Sequence, residues 1–265
     1  MDRPAEEGAR GRQFVNALAR GLQVLAAFEP EDRTLGNQEI AERTGLPKPT
    51  VSRLTYTLTE LGYLVLHRRL GRYSLAPAVL ELGHAALAGS GIADHARPVM
   101  EELARLDHVA IALGVQSRTR VRYIDLVRRP EAVVLSLAPG STLPILRSAM
   151  GRACLAAMAE DPRARLISEL ARIDPEEVEA TRDALAREIA RFREHGYTTS
   201  LGEWRPEIHA IATAMDPTGA GRPLLINMGG LAATLTRERI ATEFAPALIA
   251  GARRIEAQMR AAHSG

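Results

Sequence analysis

The sequence predicts an α+β protein in two parts: an N-terminal winged helix-turn-helix, joined by a linker helix to a larger domain whose antiparallel sheet is covered by helices. Three observations carry this. Residues 14–76 run helix, helix, tight turn, helix and basic hairpin. The positive surplus of the chain lies in that same third, and beyond residue 95 the pattern runs strands, helices, strands, helix.

Phe14, Leu18, Leu22, Leu25 and Phe28 recur at spacings of three and four, one apolar stripe on a helix of about four turns that Pro30 ends. Asn37–Thr44 reads as a short helix with Gly45 as its C-terminal cap and Leu46 as the apolar plug of the turn. Pro47 and Pro49 bias the residues before them away from helical angles. Pro49 itself suits a first helical position, because the N–H it lacks would be unpaired there. A third helix therefore starts at about Pro49, with Val51, Leu54, Leu58 and Leu61 inward. Its open face presents Thr50, Arg53, Tyr56 and Thr57, with Lys48 and Ser52 near its beginning. That polar, basic, short-chained mixture reaches phosphates and base edges when a helix lies in a major groove. The start of the preceding helix adds Asn37 and Gln38 to the DNA-contacting set. After Gly62 the period changes: 63–67 and 72–75 are two extended runs about a turn at Gly71, a two-stranded wing carrying Arg68, Arg69 and Arg72. Tyr56 has a second reading, packing against the wing.

Charge agrees with this assignment. Residues 1–76 hold 11 Lys/Arg against 9 Asp/Glu, which leaves 23 against 23 for the rest of a chain of net charge +2. Within 43–72, Glu60 alone opposes six cations, the footprint of a phosphate-binding face. The first thirty residues are polar and no run of 18 apolar residues occurs, so a cytoplasmic, soluble protein without membrane contact is expected. A single cysteine, Cys154, excludes an internal disulfide and every CxxC motif and reads as a small core residue. The seven histidines show no H-x3-H spacing. No metal and no cofactor are expected.

Residues 77–88 read as a connecting helix and Gly89-Ser90-Gly91 as a joint, giving domains at 1–76 and 95–265 with a linker over 77–94. Val99, Leu103 and Leu106 mark a helix. Strands are expected at 109–115, 120–127 and 132–138, then at 197–201, 207–215 and 223–229. Between the two sets, 143–156 begins as a loop and becomes a small-residue helix. Asp161-Pro162 and Asp174-Pro175 read as N-caps followed by first-turn prolines, and Gly196 closes the second of those helices. A last helix runs from Thr236 through Met259, bent at Pro246.

Taken in order, ALARGLQVLAAF, LPKPTVSRLTYTLTELGYL, GRYSLAPAVLELG, LPILRSAMGRACLA and GYTTSLGEW followed by EIHAIATAM make the chain resemble the IclR family of bacterial transcription regulators over essentially its whole length. The resemblance implies a homodimer or tetramer that binds palindromic double-stranded operator DNA through the winged helix. It also implies that the second domain is GAF-like and holds a small organic acid or aromatic effector. Carried over by position, the effector set is Leu143, Leu146, Met150 and Gly151, then Ser200 and Leu201, then Asn227 and Gly229. Members that take small carboxylic acids have acidic residues after the "GY" strand and Ser-x-Ser-Gly in the last strand. Here these stretches read Thr199-Ser200-Leu201-Gly202-Glu203 and Asn227-Met228-Gly229-Gly230, which implies a more apolar pocket with Ser200 and Asn227 as polar handles.

Two other functions are weighed. An enzyme would pair Cys154 with His209 or His195, or use Ser148 near Arg147 and Arg152, yet no nucleophile elbow, phosphate loop or oxyanion motif accompanies them. A ligand-free architectural DNA binder would not require a second domain twice the size of the first. Trp204 has the plain reading of a cap on a sheet edge, and Met150 that of core filler.

Overall fold

A computed structural model of the chain describes residues 14–29, 32–90, 92–129, 137–217, 219 and 223–263. The chain divides into two compact units, Met1–Gly89 and Ser90–Gly265, each with its own core.

The first unit contains α1 (Asn16–Leu25), β1 (Leu35–Gly36), α2 (Asn37–Thr44), α3 (Lys48–Glu60), β2 (Leu64–His67), β3 (Arg72–Leu75) and α4 (Pro77–Ser90). Val24, Phe28, Leu35, Ile40, Val51, Leu58 and Leu64 form the core. The backbone N–H of Gly36 caps α2 by donating to Glu39 Oε2 at 2.8 Å, so the N-cap is Gly36 and Asn37 is the first helical residue. α3 begins one residue before Pro49, on Pro47 as N-cap. It ends in a Schellman turn: Tyr63 N–H reaches Leu58 O and Gly62 N–H reaches Thr59 O, with Gly62 at φ 77°, a value that suits glycine. Because the helix stops there, Leu61 lies in the turn and is exposed rather than inward. Thr55 takes the inner position instead, fully buried, its hydroxyl bonded to Val51 O at 3.0 Å.

Two further expectations change. The wing is three-stranded, in the order β1-β3-β2, because Leu35 and Gly36 pair with Tyr73 and Arg72; two residues are too few to show a period. The apolar stripe is also split between core and solvent. Gly21, lying near Leu54, Val24 and Phe28 face inward, while Phe14, Leu18 and Leu22 are each more than half exposed.

The second unit starts with α5 (Ile92–Leu103) and builds one antiparallel six-stranded sheet in the order β6-β5-β4-β9-β8-β7. Its strands are β4 (Ala110–Ser117), β5 (Arg120–Arg128), β6 (Thr142–Pro144), β7 (Thr198–Leu201), β8 (Ile208–Met215) and β9 (Leu224–Leu231). Three helices lie between β6 and β7: α6 (Ala149–Ala157), α7 (Glu160–Ile173) and α8 (Pro175–His195). After β9 come α9 (Arg237–Arg239), a π-helical turn (Ile240–Phe244) and α10 (Ala245–His263). Most of the expected strand at 132–138 lies outside the described residues; the third strand that the structure does show is β6. Ala159, not Asp161, caps α7, whereas Asp174 does cap α8, accepting from Glu177 N at 2.8 Å. Pro246, expected to bend the last helix, lies in the first turn of α10, directly after the π-helical turn, where a missing N–H is tolerated.

Strand alternation gives the sheet two unlike faces. Ile111, Leu113, Ile211, Ile226 and Met228 enter a core with Val99, Phe244, Leu248 and Ile255, under α5 and α10. The opposite face, under α6 and α8, presents small residues at the alternate positions: Ala110, Ala112, Gly114, Ala210, Ala212 and Gly229. A face of alanine and glycine leaves space beneath the helix that covers it.

Candidate DNA-reading surface and effector cavity

On the first unit, Lys48, Ser52, Arg53, Tyr56 and Thr57 of α3 are exposed, Thr50 is half-buried, and Arg68 and Arg69 are exposed in the turn between β2 and β3. Tyr56 is 66% exposed. Among the described residues, the side chains of Lys48, Arg53, Arg68 and Arg69 make no hydrogen bond or ion pair. The other cations of the region are committed internally. Arg43 pairs with Asp32 and donates to Ala27 O at 2.9 Å. Arg72, also expected among the DNA contacts, clamps β3 to β1 and α2: it donates to Thr34 Oγ1 at 2.9 Å, to Thr34 O at 2.8 Å and to Glu39 Oε1 at 2.9 Å. These bonds hold the Glu39 carboxyl below the usual carboxylate range. Asn37 likewise ties α2 to α3, donating to Ser52 Oγ at 3.0 Å and accepting from Thr55 Oγ1 at 3.3 Å, and Gln38 bonds Glu42. Four unpaired cations on one reading helix and its wing, with their neighbours locked in place, make a surface suited to phosphate.

On the second unit, a cavity with an open mouth lies over the small-residue face of the sheet. Ala110, Ala112, Ala210 and Gly229 form its floor, Leu126, Leu137, Leu143 and Ile208 its apolar sides, and Trp204 a further wall. Polar groups come from Tyr123, Asn227, Ser200 and Ser148, the last at the start of α6. Ser148 caps that helix, accepting from Gly151 N at 3.1 Å and donating to Pro144 O at 2.7 Å. This leaves the positive end of α6 beside the cavity at Ala149. Tyr123 and Asn227 meet across it, with Asn227 Nδ2 donating to Tyr123 Oη at 3.2 Å. Burial pushes the Tyr123 phenol up to about 12, against a smaller opposing effect of the Asn227 bond, so it stays neutral.

Of the eight positions carried over from the family, Leu143, Ser200, Asn227 and Gly229 line this cavity. The other four do not. Leu146, before α6, and Met150, on α6, are buried core residues, Leu201 packs toward the opposite face of the sheet, and Gly151 is where α6 crosses the backbone of Ile145. Tyr123 and Trp204 were missed as lining residues. Tyr123 belongs to a strand of ordinary alternation, and Trp204 to a loop without period, so neither shows on pattern alone.

A buried polar lattice fixes the wall that carries Trp204. Arg152, 1% exposed, donates to Leu146 O at 3.0 Å, Thr199 O at 2.8 Å and Glu203 Oε1 at 3.0 Å. Burial alone would raise Glu203, but the Arg152 guanidinium outweighs it and holds the carboxyl below the usual range. Beside it, Glu188 accepts from Thr199 N and Oγ1 at 2.5 and 3.0 Å. The nucleophile candidates have ordinary duties: burial pushes the Cys154 thiol up to about 12, His209 Nδ1 bonds Leu235 O at 2.7 Å, and the Ser148 hydroxyl caps α6.

A winged helix with unpaired cations and a second unit whose sheet carries a cavity are the two parts of a DNA-binding regulator. Family comparison agrees: the IclR helix-turn-helix domain matches residues 17–67 and the bacterial transcriptional regulator IclR C-terminal domain matches 84–257. The chain belongs to the IclR family and is a transcriptional regulator, not an enzyme. It is 31% identical to the HTH-type transcriptional regulator TsaQ1/TsaQ2 of Comamonas testosteroni, over 95% of this chain and 91% of that one. The crystal structure of an IclR family transcriptional regulator from Brucella abortus superposes with TM-score 0.85 at 41% identity, covering 93% of each chain. An IclR homolog complexed with 4-hydroxybenzoate, from Microbacterium hydrocarbonoxydans, shares the fold with TM-score 0.69 at 22% identity, over 93% of this chain and 100% of that one. Among the described residues no helix is long and apolar enough to cross a membrane.

Proposed function

We propose that the chain is a cytoplasmic regulator that binds a split, palindromic operator as a dimer through α3 and the wing, under control of a small organic acid or aromatic compound in the cavity. The observation that supports it most is the pairing, within one regulator chain, of four uncommitted cations on the reading surface with a preformed apolar cavity that carries a few polar groups. One reading helix covers only a few base pairs, so useful affinity needs two copies on a two-fold axis with half-sites about one turn apart. The exposed apolar stripe of Phe14, Leu18 and Leu22 supplies a face that a second copy would cover. Control requires the ligand to bind the DNA-competent and incompetent arrangements unequally; α4 is the covalent link that passes this difference on.

Arg53→Ala is expected to weaken operator binding by roughly 1–3 kcal/mol if the guanidinium reads a base. Arg69→Ala should act evenly across sequences and lower the salt slope by about one. Anisotropy titrations at several salt concentrations separate the two, and unchanged affinity in both variants would remove α3 and the wing from the interface. The cavity is tested by Gly229→Leu. A Cβ there meets only ordinary contacts, 3.8 Å from Ala210 Cβ at the closest, so the added side chain occupies the cavity without displacing the backbone. The variant should bind operator like the wild type and lose its ligand response. A normal response would place the effector elsewhere.

A further inference from the structure

Resting on α3 as the helix that meets the bases, we infer that Asn37 is a positioning residue for operator discrimination: its amide grips Ser52 and Thr55 and so fixes the rotation at which α3 presents Arg53. The apolar core of this unit does not set that rotation alone. Ile40 of α2 and Val51 and Leu58 of α3 hold the helices together through burial, which has no direction. Thr55 differs from them: among the described residues it is the one polar side chain buried in the first unit, 0% exposed. A hydroxyl there costs free energy unless it is bonded. Its bonds run to Val51 O at 3.0 Å, to Ser52 O at 3.2 Å and to Asn37 Oδ1 at 3.3 Å. The first two stay within α3, and the third crosses to α2.

Asn37 is the first residue of α2, and its amide spans one turn of α3. Nδ2 donates to Ser52 Oγ at 3.0 Å while Oδ1 accepts from Thr55 Oγ1. Ser52 and Thr55 stand three residues apart, about 4.5 Å along the axis and on the same side of the helix. Two directional bonds at different heights oppose both a slide along the axis and a rotation about it, whereas a single bond would leave a pivot. Arg53 follows Ser52 directly, is exposed, and among the described residues its side chain has no internal partner. Its direction is therefore set by the backbone of α3 beneath it. A side-chain tip about 6 Å from the axis moves about 2 Å when the helix turns by about 20°, enough to lose a bidentate bond to a guanine edge. Contacts to phosphate tolerate such a shift better, because Lys48, Arg68 and Arg69 act there chiefly as charges. Loss of the grip should lower sequence discrimination and spare general affinity for duplex DNA.

The test is a set of anisotropy titrations of the full chain, at several salt concentrations, on two duplexes: the sequence it enriches from a random library and a scrambled version of it. Asn37→Ala should lower the ratio of the two affinities about tenfold, the scale of one base contact. Thr55→Val removes the buried hydroxyl at nearly constant volume. It should lower the ratio about threefold with the scrambled-duplex affinity and its salt slope unchanged, and Thr55→Ser, which keeps the hydroxyl, should match the wild type. In the Arg53→Ala background both Asn37→Ala and Thr55→Val should lower the ratio no further, because they act through Arg53. Circular dichroism melts establish that each variant is folded, and Thr55→Val carries the test if Asn37→Ala does not fold. Losses additive with Arg53→Ala, equal weakening of both duplexes, or an unchanged ratio in both variants would overturn the inference; additivity would make Asn37 a DNA contact in its own right. If Arg53→Ala lowers the ratio and neither Asn37→Ala nor Thr55→Val does, α3 remains the helix that reads bases and this inference fails alone. If no sequence is enriched, or Arg53→Ala leaves the ratio unchanged, both fail together.

Discussion

Gly151→Ala is expected to destabilise the second unit by about 3 kcal/mol, the upper part of the range for overpacked cores. A Cβ at this position would sit 2.2 Å from Ile145 O and 2.4 Å from Ile145 Cα, inside the distance any real contact reaches. The obstruction is backbone, which cannot rotate away as a side chain would. Relief requires lifting α6 off the segment that follows β6, and α6 is fully buried from Ala149 through Leu155. The contrast is Gly229→Ala, whose new methyl meets ordinary contacts and should change stability by less than about 1 kcal/mol. Urea denaturation of both variants checks the pair. Similar stabilities for the two would mean that α6 does not lie this close to Ile145.

Arg152→Met should cost about as much, roughly 3–5 kcal/mol, the range for breaking a buried pair by removing one partner. Its guanidinium is 1% exposed and serves three oxygens, so the substitution leaves two buried carbonyls short of donors and a carboxylate without its cation. Glu203 is less costly to change, because its side chain is 41% exposed and water screens what it loses. Its pH dependence has a definite sign. The folded state holds Glu203 below the usual glutamate value of 4.5, so it favours the deprotonated form. The contribution is complete above that value and is lost as pH falls through the lower folded one. Acid unfolding curves of the wild type should therefore steepen below about 4.5 relative to Glu203→Gln. Matching curves would mean that the carboxylate adds nothing to the fold. The Glu203 contact also holds the loop bearing Trp204, so Arg152→Met should weaken ligand binding even where the domain remains folded.

The reading helix was legible because its signals are local. Pro47, Pro49 and Gly62 bracket α3, and period and charge separate its inner and outer faces without reference to anything distant. The same local logic misplaced Leu61 and did not foresee the internal bonds of Arg72 and Asn37. Arg72 looks like one more wing cation until Glu39 and Thr34, more than thirty residues earlier, are seen to occupy it. The cavity was half legible. Leu143, Ser200, Asn227 and Gly229 could be transferred by motif, but Met150 and Gly151 share the motif of Leu143 for packing reasons, and a motif does not say which of its residues face space. What makes the space is the run of Ala and Gly on one sheet face opposite Ile, Leu and Met on the other, a long-range register that emerges only when β4, β8 and β9 are laid side by side.

Selection of duplex DNA from a random-sequence library by the full chain bears most directly on the claim that this is a sequence-reading regulator. The expected product is an enriched inverted repeat with half-site centres about one helical turn apart, read most strongly where Arg53 and its neighbours on α3 meet the bases, and flattened at those positions when the selection is repeated with Arg53→Ala. A chain that retains library DNA at low salt yet enriches no sequence over the input would contradict the account, leaving the four free cations as a general polyanion surface.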